Sequence, residues 1–159
     1  MATVEVAFTP LPAHVRTARL VATAVARRSG VDEELLDEVR LAVGEACSRA
    51  VEAHRRHCPA EPVRIEMTDL GERFEVIVRD SVPSAPTATN GATAHASTGA
   101  NGVLAGQPGF AGTGSTENAA VSGFGLAVIS GLADDVRISS TGSGVSVRMT
   151  WPAALGVEA

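Results

Sequence analysis

The sequence contains no lysine and no tyrosine, one tryptophan and four phenylalanines. All 13 basic residues are arginines, so Schiff-base lysines and phosphate-loop lysines are excluded. With so few aromatics, the core has to be aliphatic, and 45% hydrophobic content supplies the Val, Leu, Ile and Ala for it. No apolar run reaches the roughly 18 residues that a membrane-spanning helix needs. Residues 1–8 carry Glu5 and no basic residue, which is unlike a secretory leader. A net charge of −5 disfavours direct binding to nucleic-acid phosphates. Only two cysteines are present, Cys47 and Cys58. Both fall in one expected helix about three turns apart, too far to bridge, which suits a reducing cytoplasm. Arginine without lysine, in a background of Ala, Gly and Val, points to a GC-rich bacterial genome. At 159 residues, the chain suits one domain with one core.

Hydrophobic periodicity divides the chain. Val4, Val6 and Phe8 alternate with Thr3, Glu5 and Ala7, which predicts a half-buried strand over 3–8. Pro10 and Pro12 favour a helix start just beyond. Val15, Ala18, Val21, Ala22 and Val25 then repeat at helical spacing over 13–29, with Gly30 as a natural stop. Asp32 is a good N-cap for a second helix over 33–56. That helix has the stripe Leu35, Leu36, Val39, Val43, Ala46, Cys47, Ala50 and Val51, and it ends before Pro59. Alternation over 63–69 and 73–80 around Leu70-Gly71-Glu72 predicts a hairpin. A short helix ending near Asp134 and strands over 136–140 and 145–151 complete the pattern. The order β-α-α-β-β-α-β-β predicts a two-layer α/β (α+β) sandwich. Residues 81–122 are different in kind. They are rich in Gly, Ala, Ser, Thr, Asn and Pro, with Glu117 as the only fully charged residue, and predict a long mobile lid. The domain is expected to span residues 1–152, with a loose tail at 153–159.

Three segments stand out: Leu41-Ala42-Val43-Gly44-Glu45-Ala46-Cys47-Ser48-Arg49, Val76-Ile77-Val78-Arg79-Asp80, and Gly123-Phe124-Gly125-Leu126. In this order they resemble the GHKL superfamily of Bergerat-fold ATPases and kinases. Within it they look most like the RsbW and SpoIIAB class of anti-sigma factors. The resemblance covers residues 3–80 and 123–151. It implies a mainly antiparallel, mixed five-stranded sheet covered on one face by about three helices. It also implies ATP or ADP as ligand, a homodimer, and an anti-anti-sigma (STAS-domain) protein or a sigma factor as partner.

Carried over residue by residue, the resemblance makes Glu45 the catalytic base and Asp80 the acid that accepts from the adenine amino group. The Gly123-Phe124-Gly125-Leu126 turn becomes a phosphate cradle at a helix N-terminus. The family's Mg²⁺-binding Asn, four residues after the Glu, is Arg49 here, and a guanidinium cannot ligate a cation. Where the family has Asp-x-Gly-x-Gly, this chain has Asp80-Ser81-Val82-Pro83-Ser84. Both glycines are gone, and with them an easy positive φ. Two expectations arise for Arg49. The favoured one is an i,i+4 pair with Glu45, a contact of about 0.3–0.5 kcal/mol. The other is that Arg49 reaches the phosphates and stands in for the metal. Two altered boxes together predict weak or lost nucleotide binding, no Mg²⁺ site, and a non-enzymatic switch protein. The alternative is an active ATP-dependent serine kinase acting on a STAS partner. Arg16, Arg19, Arg27 and Arg28 on the first helix are expected on a solvated face, or as a docking surface for an acidic partner. His54 and Cys58 share a helical face, but no third or fourth ligand accompanies them, so no zinc site is expected.

Overall fold

A computed structural model describes residues 1–83 and 128–154. The glycine turn at 123–126, residues 84–122 of the expected lid and tail residues 155–159 lie outside the described residues.

The chain opens with β1 (Ala2–Phe8). Pro12 starts α1 (Pro12–Arg28), whose buried side is Val15, Ala18, Ala22 and Ala26. The small alanines let a second helix lie close. Asp32 caps as expected, its carboxylate accepting from the Glu34 amide at 3.2 Å. The first turn it opens, Glu33–Leu35, is 3₁₀, and α2 proper runs Leu36–His57. A tightened first turn is a common way to satisfy the leading amides of a helix. Cys58 caps the end of α2 rather than lying within it. Both cysteines are free thiols.

Four further strands follow: β2 (Val63–Asp69), β3 (Arg73–Arg79), β4 (Asp135–Thr141) and β5 (Gly144–Pro152). Their order in the sheet is β1-β2-β3-β5-β4. Every pairing among the described strands is antiparallel, so the expected mixed sheet is purely antiparallel here. Inserting β5 between β3 and β4 makes the chain cross over after β3. Residues 128–132 on that return path are helical.

Register explains the two faces. Val6, Ile65, Val78, Val147 and Ile138 form one cross-sheet row, and Val4, Met67, Val76, Met149 and Val136 form another. Apart from the exposed Val4 at the edge, both rows share one core with Val39, Val43, Ala46, Cys47 and Ala50 of α2. Each fully buried aliphatic side chain stabilises by about 1.5–3 kcal/mol. The opposite face carries the row Arg64, Arg79, Ser146 and Ser139. Trp151 is buried against Phe74, with ring centroids 6.3 Å apart. Its indole N–H donates to the Leu132 carbonyl at 3.0 Å, which ties the returning helical segment to β5. None of the helices among the described residues is long and apolar enough to cross a membrane.

Candidate functional site

The site forms where the end of β3 meets the middle of α2. Asp80 leaves β3 with its side chain fully buried. A buried carboxylate needs partners, and Asp80 has three. Its Oδ2 accepts from Arg49 Nη1 at 2.9 Å. Its Oδ1 accepts from the Val82 and Val145 backbone amides, each at 3.0 Å. The backbone N–H of Asp80 donates to the Val145 carbonyl at 3.0 Å.

For Arg49, the favoured i,i+4 pair with Glu45 does not form. Among the described residues, its ion pair is with Asp80, not with Glu45. The side chain is 21% exposed, so most of the guanidinium is removed from solvent beside a buried carboxylate. Burial decides the choice: a pair across α2 and β3 in low dielectric outweighs an i,i+4 contact on a wet helix surface. Glu45, one helical turn earlier and half-buried, is left outside this ion pair.

The turn after Asp80 is held by two hydrogen bonds. The Val82 amide folds back onto the Asp80 carboxylate, and the Ser81 amide donates to His54 Nε2 at 2.8 Å. On the far side, Gly144 sits at φ +141 against Asp80. A Cβ there would lie 2.0 Å from the Asp80 carbonyl oxygen. Asp80, the residue that follows β3, is thus pinned from α2, from its own following turn and from the β4–β5 hairpin.

His54 was considered in the sequence only as half of a ligand pair with Cys58. It is fully buried, with both ring nitrogens engaged, so that pair does not form. Its signal lay in the helical phase, since 47, 50, 51 and 54 continue one apolar stripe. Among the described residues, no group of three or more His, Cys, Asp or Glu could hold a metal ion. Burial pushes the Cys47 thiol up to about 12, with Arg19 opposing the shift.

The arginines of α1 separate into different roles. Arg27 ion-pairs with Glu33 at 2.9 Å on the surface. Arg16 and Arg28 are exposed. Arg19 is half-buried rather than solvated, and it crosses onto α2 over Gly44. A Cβ at position 44 would meet Arg19 Nε at 2.1 Å. That Nε is buried with no hydrogen-bond partner among the described residues. Beside it lies a groove of about 330 Å³ between α1 and α2, lined by Pro12, Val15, Arg16, Arg19, Ser48, Val51 and Glu52. A second depression of about 430 Å³ opens on the opposite sheet face near Arg64, Arg79 and Ser146. Its positive charge is neutralised locally by Glu66 on Arg79 at 2.8 Å and Glu5 on Arg64 at 3.4 Å.

Residues 8–151 match the family described as the histidine kinase-like ATPase domain, and the chain belongs to that family, part of the GHKL superfamily. No curated protein matches it.

Proposed function

We propose that this protein is an anti-sigma-factor-like regulatory switch that works by binding protein partners, with its nucleotide site closed by its own Arg49. The observation that carries the reading is the Arg49–Asp80 pair. In the resemblance, Asp80 accepts from the adenine amino group and position 49 holds Mg²⁺. Here a single side chain removes the metal ligand and supplies the donor that adenine would have supplied. Phosphoryl transfer depends on metal charge neutralisation, so the pair removes two requirements together.

Partner binding is assigned to the α1–α2 groove. Arg19 lines it with a half-buried guanidinium and Arg16 with an exposed one. A partner that brings a carboxylate or a row of backbone carbonyls satisfies both. A STAS-domain anti-anti-sigma protein or a sigma factor is the partner class that the family resemblance supports.

The test uses the full chain with purified STAS-domain proteins and sigma factors from the same organism. One of them binds, Arg19→Ala weakens it by about tenfold or more, and Arg28→Ala does not. Gly44→Ala, which displaces Arg19, weakens it as well. Incubation with labelled ATP leaves the partner unphosphorylated. Phosphate on a partner serine would establish the kinase instead, and no binding by any candidate would remove the partner reading.

A further inference from the structure

We propose that His54 is a positioning residue for Asp80, acting only as the neutral, Nδ1-protonated imidazole, and that acid releases the turn it holds. The tautomer follows from its two neighbours. The Glu61 carbonyl can only accept, so the ring nitrogen 2.8 Å from it, Nδ1, carries the proton. The Ser81 amide can only donate, so Nε2, 2.8 Å away, accepts. The ring is fully buried. It therefore joins three places distant in sequence: the last turn of α2, the connection before β2 and the exit of β3.

The consequence for Asp80 is direct. Residues 80, 81 and 82 each donate an amide, to the Val145 carbonyl, His54 Nε2 and Asp80 Oδ1 respectively. Ser81 is the middle one, and it is held by His54 alone among these three acceptors. Losing it frees the backbone that aims the Asp80 carboxylate at Arg49. Protonation turns Nε2 from acceptor to donor and sets N–H against N–H. The other titratable and charged groups at this corner are Arg49 and His57 on α2, Cys58 at its cap, Glu61 in the connection and Asp80 itself. The carboxylates of Glu61 and Asp80 already raise the Cys58 thiol, after partial burial as the larger cause. This role is independent of nucleotide binding, because each readout is on the protein alone.

The experiment is nitrogen-15 NMR of the full chain. At neutral pH the His54 ring shows a protonated Nδ1 and an unprotonated Nε2. Acid that protonates the ring shifts the Ser81, Val82 and Val145 amides together with it. Loss of one such hydrogen bond lowers the protection of the Ser81 amide against exchange by roughly tenfold. His54→Gln, whose amide oxygen can still accept from Ser81, keeps the Val82 and Val145 amide positions and abolishes their pH response. His54→Ala loses both. An Nε2-protonated ring in the wild type, a Ser81 amide that does not move as the ring protonates, or a Gln variant as perturbed as Ala would overturn the assignment. The first two readings need no variant to fold.

Discussion

Replacing Arg49 by Met removes the guanidinium while keeping most of the stem. Asp80 then stays fully buried with its Oδ2 unpaired. Breaking a buried pair by deleting one partner costs about 3–5 kcal/mol. Two features reduce that here. Asp80 Oδ1 keeps the Val82 and Val145 amides. Arg49 is 21% exposed, so water reaches the vacated position. The expected loss is therefore about 2 kcal/mol, near the value of one charged hydrogen bond plus partial desolvation. Asp80→Ala removes the acceptor of three donors and costs more, about 3–5 kcal/mol. The two changes are strongly non-additive, because both delete the same contact, and the double mutant recovers about 2 kcal/mol relative to the sum. Urea unfolding with an unchanged slope measures each. The same Arg49→Met protein, titrated with ADP by calorimetry, is expected to bind it more tightly than the wild type does, since the Asp80 oxygen becomes free to accept. A loss within about 0.5 kcal/mol, with no coupling in the cycle, would refute the reasoning, because that is the behaviour of an ordinary surface arginine.

Two further outcomes test the same corner and the core. Gly144→Ala places a Cβ 2.0 Å from the Asp80 carbonyl oxygen at φ +141, so backbone has to move. It destabilises by at least about 2 kcal/mol in urea unfolding, and a neutral effect would show that the hairpin does not press on Asp80. A thiol reagent at mildly alkaline pH modifies Cys58 in the native protein but not Cys47, whose thiol is buried and raised to about 12. Because the thiolate is the nucleophile, Cys47 reacts only on unfolding; native modification of both would contradict the packing of α2.

Much of the fold was legible in the sequence, because periodicity reports burial locally. The alternation over 63–69 and 73–80 returned as β2 and β3 to within a residue. The stripes at 15, 18 and 22 and at 39, 43 and 46 returned as the buried sides of α1 and α2. Glu45, Arg49 and Asp80 were legible as candidates because they stand in a recognisable pattern. What misled was the short-range rule for Arg49. An i,i+4 carboxylate is visible from spacing, whereas a better-buried one 31 residues away is not. His54 was read by its metal-ligating chemistry, although its helical phase already placed it inside.

The sequence by itself determined the elements and their amphipathic faces, since these depend on residues within a turn or two of each other. Only the tertiary structure decided who holds Asp80. The β3–β5 pairing brings Val145 to a residue 65 positions earlier, and the packing of α2 on β3 lays Arg49 and His54 against the same strand end. Such contacts are selected by the desolvation of a buried charge, which has a value only once the core around it has closed.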